Sequence, residues 1–329
     1  MKKVRWGVLS TATIGLNQGI PAIQRSENAE LVALASRGEK GRAKAEELSI
    51  PKYYDSYEKL LADPGIESVY IPLPNHLHLE WAVKAARQGK HVLCEKPAFL
   101  HAEDTKKMVE ACREHGVYFM EAFMYQFHPQ HDRVKEIIDS GEIGEVKLMR
   151  SSFSFYIQDR VENIRLSKEK GGGSIYDVGC YSIHAARSIL QSEPIEVQAF
   201  SDLDPDTGVD LSSIVHMKLE NGIPVVFDCS FDMANREEYE VVGTQGTITV
   251  NRAFRPDVYG GEGLILIQTK EGQREEKVTG DQYRSQIEHF SSCILEGKEP
   301  SYTLEETYQN MQAIDACYES IAKRQLVSL

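Results

Sequence analysis

The sequence predicts a doubly wound parallel α/β domain followed by an α+β domain built on a large, mostly antiparallel open sheet. Three observations carry this. The first ~120 residues alternate short apolar runs with helical spacing, the apolar runs after His131 follow one another with little helix between most of them, and the last ~45 residues return to helical spacing. Strands separated by helices of about 10–15 residues form right-handed βαβ units, whereas strands joined directly pair antiparallel.

In the first half, VRWGVLS (4–10), AELVALAS (29–36), SVYIPLP (68–74), HVLCEKP (91–97) and VYFMEAF (117–123) read as strands. EKGRAKAEEL (39–48), LEWAVKAARQGK (79–90) and AEDTKKMVEACREHG (102–116) read as the helices between them. Together they predict a Rossmann-type domain over residues 1–123, with 124–329 as the second domain. There the strands are EVKLMRSSFSFYIQ (145–158), IEVQAFSDL (195–203), LSSIVHMKLENG (211–222), IPVVFDCSFDM (223–233), YEVVG (239–243) and GTITVN (246–251). Asn221-Gly222 predicts a type I′ hairpin, in which both central residues need positive φ. The closing helices, YRSQIEHFSSCILEG and LEETYQNMQAIDACYESIAKRQ, are expected to pack on the second sheet.

Composition narrows the partners. A length of 329 residues suggests two domains, and 37 basic against 50 acidic residues give a formal charge of −13. That balance argues against nucleic acid and anionic membranes and favours a small soluble ligand. No run of ~18 apolar residues occurs and MKKVRWGVLS lacks a signal-peptide core, so a cytoplasmic protein is expected. Six cysteines without a CxxC pair read as reduced packing thiols. His76-Leu77-His78 and His128 to His131 lack the form of a metal site, so no metal is expected, and neither GxSxG nor a P-loop is present.

After the first strand the chain runs Ser10-Thr11-Ala12-Thr13-Ile14-Gly15. In a GxGxxG fingerprint the glycines allow a tight turn, close backbone approach to pyrophosphate and helix packing. Here only the third glycine is kept, and a ligand-free βα turn is the alternative. At the end of the second strand an Asp or Glu would accept from the ribose 2′-OH of NAD. This chain has Ser36-Arg37, followed by Lys40 and Arg42. A hydroxyl and a forked guanidinium suit a 2′-phosphate, which favours NADP, with NAD possible; the alternative is the solvated face of the next helix.

HVLCEKPAF ends an apolar run in Glu95, Lys96 and Pro97. Proline removes a donor and stops the ladder, so Lys96 is expected at the carboxyl edge of a strand, where open α/β sheets bind ligands. A surface lysine in a loop is the other reading. In the second domain, Gly171–Gly173 allow close backbone approach to a ligand and Ser174 looks like a helix N-cap. Asp177, Tyr181 and His184 then fall at i, i+4 and i+7 and share a face. Asp177 is either the far half of a capping box or a catalytic carboxylate, and Tyr181 and His184 are either core residues or site residues.

The substituted glycine loop, PLPNHLH, CEKPAF, EAFMYQFHP and GGGSIYDVGCYSIH, in this order, resemble the Gfo/Idh/MocA oxidoreductase family along essentially the whole chain. Tyr181 within DVGCYSIH resembles the branch of glucose-fructose oxidoreductase, dihydrodiol dehydrogenase and xylose dehydrogenase. The resemblance implies hydride transfer with a nicotinamide cofactor and a second domain whose open sheet face supports a homodimer or homotetramer. It implies that Leu73, Pro74, Asn75 and His78 pass close to the cofactor, with Glu95 and Lys96 by the nicotinamide ribose and substrate. It favours catalysis for Tyr181, extends it to Asp177, and leaves His184 and Gln126 as substrate contacts. His184 stands where the inositol-dehydrogenase-like branch has Asp, and Gln126 where related sequences often show Arg.

A tyrosine of pKa ≈ 10 is a poor base at neutral pH, and a neighbouring ammonium favours its phenolate. Lys96 and Tyr181 therefore read as one proton-transfer device for a carbinol or carbonyl of a sugar, cyclic polyol or vicinal diol. A non-catalytic nucleotide-binding or redox-sensing protein is the alternative.

Overall fold

The computed structural model describes residues 2–329, except for the side chains of Glu39 and Lys40. The expected role of Lys40 thus lies outside the described residues. In chain order the first part contains β1 (Val4–Leu9), α1 (Ile20–Arg25), β2 (Ala29–Ala35), α2 (Glu39–Glu47), β3 (Lys52–Tyr54), α3 (Tyr57–Leu61), β4 (Ser68–Ile71), α4 (His78–Arg87), β5 (His91–Cys94), α5 (Asp104–His115) and β6 (Phe119–Glu121). There follow α6 (Gln130–Asp139), β7 (Val146–Tyr156), α7 (Cys180–Leu190), β8 (Pro194–Leu203), β9 (Asp210–Leu219), β10 (Pro224–Ser230), β11 (Asp232–Gly243), β12 (Gly246–Val250), β13 (Glu262–Thr269), β14 (Gly272–Thr279), α8 (Gln282–Glu296), α9 (Leu304–Lys323) and β15 (Val327–Ser328). Two compact units result: the chain up to Met124 with Tyr283–Tyr308, and Tyr125–Gln282 with Gln309–Leu329.

The first unit is a six-stranded sheet in the order β3-β2-β1-β4-β5-β6, and every pairing is parallel. The order reverses between β1 and β4, the switch point at which such sheets bind ligands. Strands end early at their carboxyl edges: β4 stops at Ile71 before Pro72, and β5 at Cys94, three residues before Pro97. Alanines of α4 (Ala82, Ala85, Ala86) and Met108, Ala111 and Cys112 of α5 join the core with Val69, Ile71, Val92 and Cys94. Both β3 and α3 went unread, being too short to show a period.

One closing helix departs from expectation, while most of α9, from Gln309 on, folds with the second unit. From Tyr283 onward α8 folds with the first unit, not with the second sheet. Trp6 Nε1 donates to Ser291 Oγ at 3.1 Å and its ring lies 5.8 Å from Phe290. Asn28 Nδ2 donates to the Glu288 carbonyl at 2.8 Å and to Ser292 Oγ at 2.9 Å. An indole on β1 needs an apolar cover with one polar partner, and α8 supplies both.

The second unit is a nine-stranded sheet, β14-β13-β12-β11-β7-β10-β9-β8-β15, in which β7 and β10 are parallel and the other neighbours antiparallel. The β13–β14 hairpin was not read, because GQREEKVT has no apolar face; it forms a charged edge, which discourages further pairing. The hairpin at Asn221-Gly222 forms with a different turn. Gly222 alone takes positive φ (81°), and Gly222 N–H to the Leu219 carbonyl (2.9 Å) with Leu219 N–H to the Ile223 carbonyl (3.1 Å) closes a three-residue loop. Such loops need one left-handed residue instead of two. All six cysteines are free and buried. No helix among the described residues is long and apolar enough to cross a membrane, and no metal-holding cluster occurs among them.

Candidate active site

In the first unit the loop after β1 keeps the backbone of a glycine turn without the glycine. Ser10 has φ 104°, a conformation that L residues avoid. Its N–H is bonded to the Ala35 carbonyl (2.7 Å), and its hydroxyl accepts from Ala12 N–H (2.9 Å), so the side chain itself closes the turn. A helix opens at Thr13, and its first N–H groups have no intrahelical partner, which makes them anion donors. The helix begins with a π turn over Gly15–Gly19. A Cβ on Gly15 would lie 3.0 Å from Pro72, and one on Gly19 only 2.2 Å from the Tyr70 ring. Gly19 is therefore the glycine that lets the helix pack on the sheet, a role the sequence reading gave to Gly15.

At the end of β2 no carboxylate stands. The Ser36 hydroxyl lies 3.2 Å from Thr11 Oγ1, tying the strand end to the loop. Arg37 is exposed, and burial raises the Tyr57 pKa while the Arg37 charge draws it back down. Arg42 lies over the Tyr53 ring at 5.0 Å, and Tyr53 Oη donates to the carbonyls of Ser36 and Gly38 at 2.7 and 2.8 Å. A cationic edge beside a helix N-terminus fits a phosphorylated dinucleotide in the chemistry of its donors.

At the end of β5, three clamps surround Lys96. Tyr70 Oη donates to Glu95 Oε1 (2.5 Å), His78 Nδ1 meets the Pro97 carbonyl (2.8 Å), and Ala98 N–H donates to the buried Glu121 Oε1 (2.8 Å). Lys96 itself is half-buried, and its peptide to Pro97 is cis. His78 also meets the Leu73 carbonyl through Nε2 at 2.7 Å. It is wholly buried, and burial lowers its pKa to about 4 against the upward pull of the two carbonyls. His78 thus staples the Leu73 segment to the residues after Lys96. Leu73 is 8 % exposed, and Pro74 and Asn75 are half-buried ahead of the Asn75–Leu77 turn.

In the second unit Tyr181 lies in the first turn of α7, which also follows a π turn, Ile175–Gly179. π turns gather at functional sites, and here both site helices begin with one. Tyr181 is 4 % exposed, with ring centroids of Phe153 at 5.3 Å, Phe254 at 5.4 Å and Tyr125 at 5.7 Å. His184 lies deep beside Tyr125. It is 2 % exposed, its Nδ1 is 2.5 Å from Tyr125 Oη, and burial holds its pKa well below the ordinary value. Gln126, in the Met124–Phe127 turn, has a buried Nε2 without a hydrogen-bond partner, an orphan donor of the kind a ligand oxygen satisfies.

The GGGS segment works differently from the reading given to it. Ser174 makes no cap bond; it donates to Asp210 Oδ2 (2.9 Å), which also takes Ile175 N–H (2.7 Å), so β9 caps this helix. Asp177 is not half of a capping box. Its Oδ2 accepts from Arg165 Nε at 2.6 Å. Nor does the glycine run first of all admit a ligand: a Cβ on Gly172 would lie 2.4 Å from the Arg165 carbonyl, and one on Gly173 2.1 Å from Asp210 Oδ1. Arg165, Asp210 and Tyr125 are thus site residues the sequence reading missed. Tyr125 sat inside a quoted motif, whereas Arg165 lies in irregular chain where no periodicity marks it.

Two family models match the chain: an oxidoreductase family with an NAD-binding Rossmann fold over residues 4–123, and the GFO/IDH/MocA C-terminal domain over 131–249. A D-xylose 1-dehydrogenase (NADP(+)) of Haloferax volcanii is 40 % identical over 323 residues, 96 % of each chain. The crystal structure of an aldose-aldose oxidoreductase from Caulobacter crescentus, complexed with glycerol, superposes with a TM-score of 0.92 at 26 % identity and covers all of both chains. A 3-ketoreductase from Actinomadura kijaniata, in complex with NADP and TDP-benzene, gives 0.91 at 29 % identity over 97 % of this chain and 98 % of that one.

Proposed function

This chain belongs to the GFO/IDH/MocA oxidoreductase family, and from that premise we propose that it transfers a hydride between NADP(H) and a carbinol or carbonyl of an aldose-like sugar, with Lys96 and Tyr181 moving the proton. The observation that carries the reading is the clamped Lys96 at the carboxyl edge of β5, one strand from the switch point of a sheet whose nucleotide edge bears Arg37 and no acid. The names of the relatives, a xylose dehydrogenase using NADP(+), an aldose oxidoreductase and an NADP-bound ketoreductase, support the same chemistry. A purely nucleotide-sensing role is not favoured, since those relatives are named for reactions.

In this reading Ser10, Thr11, Ala12, Thr13 and Ile14 with the helix N-terminus hold the pyrophosphate, and Ser36 and Arg37 the 2′-phosphate. Leu73, Pro74, Asn75 and Glu95 flank the nicotinamide end. The nicotinamide, when bound, gives or takes the hydride. Tyr181 holds the proton at Oη: it receives the carbinol proton in oxidation and returns it in reduction. Lys96 favours the phenolate and donates to the substrate oxygen. Gln126 Nε2 offers its free donor to a substrate hydroxyl. The free thiols suit the reducing setting of a cytoplasm.

Initial rates with a panel of aldoses and diols against NADP⁺, and of their ketones against NADPH, test the reading; no turnover with any of them would sink it. Binding titrations are expected to favour NADPH over NADH. Arg37→Ala should weaken that preference and Ser36→Asp should invert it, since a charge-assisted phosphate contact is worth about 1.5–3 kcal/mol. Equal affinities in the unmodified chain would refute the 2′-phosphate assignment.

Assembly belongs to the same proposal. On the sheet face turned away from α7, Phe200 and Ile214 are register partners, 62 % and 57 % exposed, with Val226 and Tyr156 on the same face of neighbouring strands. An exposed apolar face of this kind is covered when two copies pair face to face. Light scattering is expected to return twice or four times the chain mass of 37.1 kDa, and a monomer mass at working concentration would overturn this.

A further inference from the structure

We propose that Arg165 is a positioning residue of the acid/base centre, supplying from within the second unit a fixed positive charge that acts on the Tyr181 phenol, with Asp177 as its holder and not as a second proton carrier. This rests on the reading of Tyr181 as the acid/base.

Arg165 lies in the short 3-10 turn Ile164–Leu166, between β7 and α7. It is fixed at every level. Its N–H donates to Asn163 Oδ1 (3.1 Å), its carbonyl accepts from Gly173 N–H (3.0 Å), and its guanidinium lies 5.6 Å over the Phe155 ring. Nε is bound to Asp177, four residues before Tyr181, while neither Nη makes a hydrogen bond among the described residues. Gly172 exists in a form only glycine allows here, because any Cβ would strike the Arg165 carbonyl. The chain thus spends a glycine to seat this arginine against the start of the Tyr181 helix.

A guanidinium stays protonated at any working pH, so its charge is constant. Arg165 stands over Phe155 and the Tyr181 ring packs on Phe153, two residues apart on one face of β7, so the guanidinium and the phenol share that face, and the Arg165 pKa is raised first by the Asp177 charge. A positive charge on that face favours the phenolate. Charged or titratable groups near the Tyr181 ring include Asp177 on the preceding turn, Cys180 and His184 on its own helix, and Tyr125, while Phe153 of β7 and Phe254 do not titrate. Glu237, opposite Phe153 on β11, is buried, which raises its pKa to about 7. Asp177 opposes the influence of Arg165 on the phenol while holding it in place. The two charges therefore push the Tyr181 titration in opposite directions, and the size of each shift reports how strongly that charge reaches the phenol.

The test is the pH dependence of kcat for the full chain with NADP⁺ and its best sugar from the panel. Arg165→Met should move the Tyr181-governed limb up by about one pH unit, costing about tenfold in kcat at neutral pH with little change in the KM for NADP⁺. Arg165→Lys should restore most of the shift. Asp177→Asn should move the limb the other way. If Arg165→Met lowers kcat with the limb unmoved, or Asp177→Asn shifts it in the same direction as Arg165→Met, the proposal fails. Should Arg165→Met not fold, Asp177→Asn and Arg165→Lys decide alone: a limb unmoved in Asp177→Asn overturns it. Failure of the underlying reading looks different, because the limb would then persist in Tyr181→Phe.

Discussion

Replacing Tyr181 by Phe is expected to lower kcat by roughly 10²–10⁴ while leaving cofactor affinity nearly unchanged. The substitution keeps the ring, so the aromatic packing against Phe153, Phe254 and Tyr125 survives and only the proton-bearing oxygen is lost. Single-turnover rates with pre-bound NADPH separate this loss from product release. Full activity in the variant would exclude Tyr181 as the proton carrier. The assignment would then pass to His184 or Asp177, of which His184 is bonded to Tyr125 and Asp177 to Arg165.

Lys96→Met should lower kcat as severely and, unlike Tyr181→Phe, displace what remains of the pH profile upward, because both a tuning charge and a donor to the substrate oxygen are gone. The surrounding segment should hold its shape, since Glu95, Pro97 and Ala98 are clamped independently of the Lys96 side chain. The double variant should be far less damaged than the product of the two single effects, as residues that act as one unit are not additive. Clean multiplication of the two defects would mean that Lys96 and Tyr181 do not form one device.

Alternation of strand and helix made the first sheet legible almost strand by strand, and its proline breakers marked the edge where Lys96 lies. What escaped was whatever depends on partners distant in sequence. Nothing in the Trp6 segment announces that its cover is Phe290 and Ser291, and nothing in GQREEKVT announces a strand, because an edge needs no apolar face. The site divides the same way. Lys96 and Tyr181 sit in local patterns of residue type. The staple role of His78, the Asp210 cap and the Arg165 pairing arise where the fold brings two stretches together, and the last two replace plausible local readings, an N-cap and a capping box. The glycine run illustrates the reason. Spacing tells that something approaches the backbone closely, while only the fold tells that it is the chain's own carbonyl and carboxylate.

The placement of α8 within the first unit also has a consequence in time. Domains generally finish folding in the order in which they are synthesised, the amino-terminal one first. Here the strands up to Met124 emerge early, but the helix that covers Trp6 and engages Asn28 arrives only after eight of the nine strands of the second sheet have been made. At about 5–20 residues per second, that interval lasts roughly ten to forty seconds. Until it ends, β1 offers an uncovered indole at the heart of the nucleotide-binding half. Cutting the gene after the sixth strand would therefore yield an unfinished protein instead of a smaller one, and α8 is as much a part of the dinucleotide half as its first strand.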